Sequence, residues 1–291
     1  MSLDPIARIR RFNRAVTRET GVLDQSFLGR GRPLGTARVL HSIGPEGRDL
    51  DSIRAYLNLD KTLLSRTLRG LQDEGLVTLA PHPEDARRRI ATLTTAGLAE
   101  YHAYNTLSDQ QAHALLARHP KPETLLAAMD LVASALTAQA ITLEECDPQS
   151  RDAVYCLEEY YAELGRRFDT GFDVNLSADP EAADMMAPRG SFLVATSDGL
   201  PLGCVGLKGT DKGYAEIKRL WVSPASRGLG LARRLMDAAE DKARSLGITT
   251  LRLDTNAALP EAIRLYETTG WHQIDRFNDD PYPTHFFEKH L

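Results

Sequence analysis

A short run from Arg227 to Ala232 (RGLGLA) has the composition of an anion-binding loop. Its two glycines allow backbone conformations that other residues adopt rarely, so the chain can approach a ligand closely. The residues that follow have the spacing of an amphipathic helix, whose first N–H groups lack partners within the helix. Such a helix N-terminus favours phosphate groups. We therefore expect this run to bind a pyrophosphate.

Two common nucleotide-binding motifs do not fit the run. It lacks the lysine and the serine or threonine of a P-loop, and its glycine spacing is not G-x-G-x-x-G. ATP and NAD are therefore poor candidates.

The pattern Arg-x-x-Gly-x-Ala resembles the acetyl-CoA signature of the GNAT acetyltransferase superfamily. The stretch Leu251–Trp271 (LRLDTNAALPEAIRLYETTGW) is similar to that family's second cofactor segment, and FNDDPYPTHFFEKHL resembles its closing hairpin. The resemblance covers residues 141–291. It implies a GNAT mixed α/β sheet domain that transfers an acetyl group from acetyl-CoA to a primary amine, without a metal. The acceptor would be a small molecule or a protein lysine, and we favour a small amine.

The resemblance also implies where the cofactor lies. It would enter a gap between two parallel strands, near Leu220–Val222 and Leu251–Thr255, with main-chain groups of Trp221 and Val222 on the pantetheine arm. Leu259 stands where many members have asparagine, and Asn256, three residues earlier, is the candidate substitute. The predicted phosphate contacts are Arg227, Gly228, Leu229, Gly230, Leu231, Ala232 and Arg233.

Acetyl transfer needs a bound thioester, a neutral amine and a proton for the departing thiolate. Positioning the two reactants contributes more than one acid or base does. Tyr266 stands at the family's thiol-side tyrosine, although a packing role is the alternative. Strand alternation places Glu216 on the same face as Val222, so it is our candidate base, unless it only pairs with Lys218. Asp254 and His285 are rival bases, and Arg219 is a candidate for an acceptor carboxylate.

These residues require a sheet and flanking helices. The sequence predicts a strand at ITLEEC and a helix over 148–168. Three further strand-like runs (SFLVATS, PLGCVGLKG and YAEIKRLWVS) follow, joined by hairpin-like turns and ended by Pro224. An antiparallel sheet is therefore expected to precede the glycine run.

The first half of the chain has the pattern of a helix-turn-helix. A helix at Leu50–Leu57 is followed by a turn in which Asp60 caps a second helix, Lys61–Glu74. Leu63, Leu64, Leu68 and Leu71 are assigned to the core. The solvent face carries residue types that contact DNA phosphates and guanine, and these are Lys61, Thr62, Ser65, Arg66 and Arg69.

Two β-rich runs, Leu76–Leu79 and Ile90–Leu93, follow this helix and are joined by a polar loop that contains Arg87 and Arg88. This pattern predicts a winged hairpin with DNA-binding arginines. Together with SRTLRGLQDEGLV and LTTAG, it resembles the MarR family of winged helix-turn-helix regulators. The resemblance implies a transcription regulator that binds a double-stranded DNA operator. Two long helical patterns, roughly Thr95 to Arg118 and Lys121 to Ala140, follow the wing. The resemblance implies that such terminal helices form a homodimer, unless they only cover the domain's own core.

The sequence thus predicts a multidomain α+β protein, with a mainly helical winged helix-turn-helix domain at 1–140 and the acetyltransferase domain at 141–291. Residues 1–140 hold 18 Lys and Arg against 15 Asp and Glu, and the remainder holds 17 against 25. Only the first part therefore suits a polyanion. The three cysteines form no metal or disulfide pattern, and no apolar run suggests a signal or a membrane span. We expect a cytoplasmic protein. Two alternatives stay open: a regulator whose second domain senses acetyl-CoA without turnover, and a first domain that only dimerises.

Overall fold

The computed structural model describes residues 4–82, 85–169, 171–176 and 183–291. The chain divides into two compact units, Met1–Pro122 and Glu123–Leu291, whereas the sequence interpretation placed a domain boundary at 140/141. The two divisions differ in where they place one helix, Pro122–Thr137. Ser134 on that helix forms a buried hydrogen bond with Ser226, 3.0 Å between the hydroxyl oxygens. Arg234 donates to the carbonyl of Ala138 just after the helix. The helix therefore packs with the second unit.

The first unit is mainly helical, as predicted, and has a small antiparallel sheet in the order β1-β3-β2. Its helices are α1 (Pro5–Glu19), α2 (Leu34–Ile43), α3 (Leu50–Leu57), α4 (Lys61–Asp73) and α5 (Thr95–Arg118). Its strands are β1 (Arg48–Asp49), β2 (Val77–His82) and β3 (Asp85–Leu93). Its core contains residues of α2, α3, α4 and the sheet.

The turn between α3 and α4 forms as the sequence predicts. Asn58 adopts a left-handed conformation with φ of 49°, which ends α3. The Asp60 carboxylate caps α4 by accepting from the amide of Leu63 at 2.8 Å. The assignment of the Leu63 side chain to the core was wrong, because 37% of it is exposed. The buried stripe of α4 runs through Leu64, Leu68 and Leu71, and Leu63 lies about 100° around the helix from Leu64.

The winged hairpin has longer strands than the sequence indicated. Arg87 and Arg88 were assigned to a loop, and this was wrong, because both lie on β3. A strand with both faces in solvent lacks the alternation of apolar and polar residues. A run of charged residues such as Arg87, Arg88 and Arg89 therefore gives no sequence signal for a strand. Strand β1 was not predicted, and it pairs with β3 through Asp49 opposite Ile90.

The second unit is a seven-stranded mixed sheet covered by helices on both faces. Its helices are α6 (Pro122–Thr137), α7 (Arg151–Arg167), α8 (Leu231–Ser245) and α9 (Pro260–Thr268). Its strands are β4 (Thr142–Glu145), β5 (Ser191–Ser197), β6 (Leu200–Lys208), β7 (Ala215–Val222), β8 (Thr250–Thr255), β9 (His272–Gln273) and β10 (His285–His290). Their order is β4-β5-β6-β7-β8-β10-β9. The helix predicted over 148–168 is α7, and the predicted strands SFLVATS, PLGCVGLKG and YAEIKRLWVS are β5, β6 and β7. Each lies within three residues of its predicted limits.

Only β7 and β8 run parallel among the paired strands that the structure describes. Their pairing covers Ala215 to Ile217 against Leu251 to Leu253 and then stops, although β7 continues to Val222. The two strands therefore separate toward their carboxyl ends, which leaves a gap at the edge of α8.

A bulge in β7 changes which side chains share a face. Arg219 has a positive φ of 58°, and the pairing with β6 shifts between Cys204 and Gly206. One extra residue therefore enters β7 before Trp221. The prediction that alternation puts Glu216 on the face of Val222 was wrong for this reason. Val222 packs in the core with Ile217, the neighbour of Glu216 that points to the opposite face.

In the described part of the chain, no helix combines the length and apolar character that a membrane span requires.

Candidate functional site

The glycine run forms the wall of a cavity of about 360 Å³ at the end of β7. Gly228 and Gly230 have φ of 76° and 77°, and Gly230 caps the N-terminus of α8. A Cβ added at either glycine would meet no atom within 4 Å, so it would project into open space beside the loop. The α8 amides and this open approach suit a phosphate group. Eight of the nine predicted cofactor residues line the cavity, and these are Trp221, Val222, Arg227, Gly228, Gly230, Leu231, Ala232 and Arg233.

The ninth residue, Leu229, does not line the cavity and is 37% exposed. Arg233 is strongly exposed near the start of α8, where its charge adds to the positive end of the helix. The cavity wall therefore combines main-chain donors with a cationic side chain.

Arg227 is held by α7 as well as by its own loop. Its guanidinium contacts the Glu163 carboxylate at 2.5 Å, and its Nε donates to the carbonyl of Val222 at 3.1 Å. Glu163 also accepts from the indole of Trp221 at 3.2 Å. Arg227 therefore fixes the loop against the end of β7. The sequence interpretation missed Glu163, which only its place on the inner face of α7 distinguishes from other acidic residues.

A second cavity lies next to the first, and both are lined by Tyr160, Leu220 and Leu259. Tyr266 lines this second cavity and is only 5% exposed. Burial, and then the negative charge of Asp254, raise the pKa of the Tyr266 phenol. The group therefore stays protonated at neutral pH and is able to donate a hydrogen bond in the cavity.

The three ionisable residues Glu216, Lys218 and Asp254 form one buried cluster. The ammonium of Lys218 lies 2.5 Å from the Asp254 carboxylate and 3.2 Å from that of Glu216. Burial of Lys218 disfavours its charge, but these two carboxylates outweigh this effect and raise its pKa. Asp254 lines the second cavity, whereas Glu216 lines neither cavity. The alternative considered for Glu216, an ion pair with Lys218, is thus present.

Three further candidate residues from the sequence are Asn256, Arg219 and His285, and the first two line the second cavity. Asn256 donates to the carbonyl of Tyr282 at 2.7 Å and accepts from the amide of Ala258, so it holds the loop after β9. Arg219 lines the cavity, with its guanidinium carbon 5.9 Å from the Tyr161 ring centre. His285 lines neither cavity, and its Nδ1 lies 2.8 Å from the Thr284 hydroxyl.

In the first unit, the predicted DNA contacts of α4 share one exposed face. All five are exposed, and these are Lys61, Thr62, Ser65, Arg66 and Arg69. The N-terminal half of the helix therefore presents two hydroxyls, a lysine and an arginine to solvent.

The two predicted wing residues differ from each other. Arg87 is exposed. Arg88 lies 3.1 Å from the Asp49 carboxylate, which also accepts from the amides of Asp51 and Ser52 and so caps α3. Burial disfavours the Asp49 charge, but the bonds from Arg88 and Ser52 outweigh this and lower its pKa. Arg88 therefore ties the wing to α3, and it is not free to extend outward as Arg87 does.

This combination of a splayed parallel strand pair, a glycine-rich helix N-terminus and an adjoining cavity is characteristic of N-acetyltransferases. Residues 155–271 match the Acetyltransferase (GNAT) family model, and residues 30–88 match that of the MarR family. The chain belongs to the GNAT acetyltransferase family and carries a MarR-family region before it.

Several relatives that match part of the chain have acetyltransferase names. An uncharacterized N-acetyltransferase of Schizosaccharomyces pombe is 35% identical over 47% of this chain and 85% of its own length. For the uncharacterized N-acetyltransferase YjgM of Escherichia coli, the identity is 33%, over 41% of this chain and 74% of that protein. The IAA acetyltransferase of Azospirillum brasilense is 39% identical over 31% of this chain, which spans only 59% of that relative.

Proposed function

We propose that the protein is a DNA-binding transcription regulator and an acetyl-CoA-dependent N-acetyltransferase that acts on a primary amine. The observation that carries the enzymatic part is the open loop of Gly228 and Gly230 at the N-terminus of α8, beside the gap between β7 and β8. Acetyl-CoA, when bound, supplies an activated acetyl group as a thioester. The loop amides and Arg233 would hold its diphosphate.

In the proposed reaction, the amine nitrogen forms a bond to the acetyl carbon and the carbon–sulfur bond breaks. Tyr266 donates its phenolic proton to the departing sulfur; burial and the charge of Asp254 raise its pKa, so the proton is present at neutral pH. Asp254 is the better placed carboxylate for the amine proton, because it lines the same cavity as Tyr266. Glu216 would act indirectly, because it shares the Lys218 ammonium with Asp254.

A coenzyme A release assay with a panel of primary amines tests the enzymatic proposal. We expect turnover with at least one amine and tight binding of acetyl-CoA by calorimetry. Tight acetyl-CoA binding without coenzyme A release on any amine would favour the acetyl-CoA sensor instead. The same conclusion requires that Tyr266→Phe changes neither the binding nor the background release of coenzyme A. Absence of binding to any coenzyme A species would end the enzymatic proposal.

The DNA-binding part rests on the exposed face of α4 and on the wing. We expect binding to the protein's own promoter that weakens steeply with salt, since phosphate contacts release counterions. Alanine at both Arg66 and Arg69 should abolish it. The wing offers a matched pair: Arg87→Ala should weaken DNA binding without changing stability, whereas Arg88→Ala should also destabilise the unit. Equal effects of the two wing variants would contradict these assignments.

The homodimer proposal rests on α1. None of its residues is buried, although it carries an apolar stripe of Ile6, Ile9, Phe12 and Val16, which are 54%, 56%, 44% and 41% exposed. An apolar helix face of this length is stable in water when a second copy covers it. Light scattering should give a dimer for the wild type and a monomer for Phe12→Glu. A monomeric wild type would refute the proposal.

A further inference from the structure

The second cavity contains a buried carboxylate that the proposed reaction does not use. Asp280 lines this cavity and is only 8% exposed. One of its oxygens accepts from the amide of Tyr282 at 3.1 Å. Among the residues that the structure describes, no lysine, arginine or histidine nitrogen forms an ion pair with it. A buried carboxylate without a cationic partner is costly, so it is suited to a cationic ligand.

Aromatic rings surround the same cavity. The ring centres of Phe172 and Tyr282 are 4.8 Å apart, and Phe168 lies 5.9 Å from Tyr282 and 6.0 Å from Phe172. Tyr161 stacks on Phe172 at 5.7 Å. Rings of this kind attract a cation over their faces and also bury apolar groups. The cluster Phe168, Phe172 and Tyr282 therefore provides a surface for the body of an organic cation, beside the Asp280 carboxylate.

The loop that carries Asp280 is tied to the strand that carries Asp254. Asn278 donates to the Asp254 carboxylate at 2.6 Å and accepts from the amide of Asp280 at 3.2 Å. Asn256 binds the carbonyl of Tyr282. Asp280 and Tyr282 are therefore positioned by β8 and the residue that follows it, on one side of the cofactor gap.

The other carboxylates in this region are already engaged. Lys218 is shared by Asp254 and Glu216. The guanidinium of Arg276 donates to the carbonyls of Asp280 and Pro283, each at 3.0 Å, and not to the Asp280 carboxylate. That carboxylate is therefore the group at the cavity wall that is available to an ammonium ion.

From this arrangement we infer that the acceptor is bound as an ammonium ion by Asp280, with an apolar or aromatic body packed on Phe168, Phe172 and Tyr282. The inference rests on the proposed transfer to an amine and names the class of that amine. It distinguishes amines that lack a carboxylate, such as phenylethylamine, from amino acids and from anions of the same size.

Calorimetry with phenylethylamine, in the presence of saturating coenzyme A, tests this binding site. The wild type should bind phenylethylamine more tightly than phenylalanine, and should not bind 3-phenylpropionate. Asp280→Asn removes the charge but keeps an oxygen for the Tyr282 amide, and should weaken binding by about 10- to 100-fold. The matched control is Asp279→Asn at the exposed neighbouring residue, which should bind like the wild type.

A second variant addresses the aromatic cluster. Phe172→Leu keeps an apolar side chain but removes the ring face, and should weaken phenylethylamine binding by about 2- to 20-fold. If Asp280→Asn does not fold, phenylethylamine binding by Phe172→Leu still tests the site.

The inference is overturned if the wild type does not bind phenylethylamine, if 3-phenylpropionate binds as well, or if Asp280→Asn or Phe172→Leu binds like the wild type. Coenzyme A titrations of the same proteins keep the two proposals separate. Loss of amine binding with intact coenzyme A binding supports this site, whereas failure of the wild type to bind coenzyme A counts against the acetyltransferase proposal alone.

Discussion

The two ends of α8 offer a direct test of the phosphate-binding loop. Gly230 precedes the helix with φ of 77°, and Gly247 follows it with φ of 75°. A Cβ at either residue would meet no atom within 4 Å. Alanine at each position therefore incurs only the cost of a left-handed conformation, about 1–2 kcal/mol. This predicts a similar fall in the melting temperature, by a few degrees, for Gly230→Ala and Gly247→Ala.

Only Gly230→Ala should affect the ligand, because its methyl group would project into the approach to the α8 amides. A lost or stretched hydrogen bond to a charged phosphate costs about 1.5–3 kcal/mol, so the Kd for coenzyme A should rise by at least tenfold. Gly247→Ala should leave it unchanged. Calorimetric titration and thermal unfolding of both variants measure the two effects. Equal coenzyme A affinity in the two variants would refute the placement of the diphosphate at this helix N-terminus.

Three further predictions follow from buried contacts. Tyr266→Phe should lower kcat for acetyl transfer about 100-fold without changing coenzyme A affinity, as steady-state kinetics and calorimetry would measure, and an unchanged kcat would exclude the acid role. Ser134→Val leaves the fully buried Ser226 hydroxyl without its partner. It should destabilise the second unit by about 1–3 kcal/mol in urea unfolding, and a neutral result would indicate that water replaces the bond. The pKa of Asp49 is lowered in the folded protein. Its pairing with Arg88 therefore stabilises the first unit fully at pH values above the ordinary aspartate pKa of about 3.9. This stabilisation is lost as the pH falls through the lowered pKa. The stability difference between wild type and Arg88→Ala should therefore shrink below about pH 4, and a constant difference would contradict the assignment.

The sequence predicted the elements whose residues repeat with a clear period. Helix α5 was expected at its observed limits, and the turn at Asn58–Asp60 forms as its residue types indicate. Local propensity and capping act within a few residues, so one sequence is sufficient for them. Charged stretches were harder, since β3 carries three consecutive arginines and has no apolar alternation to reveal it.

Contacts between distant segments could not be predicted in the same way. The pairs Arg88–Asp49, Arg227–Glu163 and Lys218–Asp254 each join residues at least 36 positions apart. An exposed arginine and a paired arginine look alike in a sequence, because only the fold determines which carboxylate is near. For the same reason, Asp280 could not be distinguished from Asp279.

The bulge in β7 determines which of its side chains face α7 and which face α8. Without it, alternation would place the side chains of Glu216 and Val222 on one face. The extra residue at Arg219 reverses this relation, so that Val222 packs under α8 while Trp221 faces α7 and donates to Glu163. A bulge also interrupts strand pairing, and β7 separates from β8 just before it. The gap for the ligand therefore begins next to the residue inserted in β7. The ion cluster of Glu216, Lys218 and Asp254 lies before it and depends on the regular alternation of Glu216 and Lys218 along the strand.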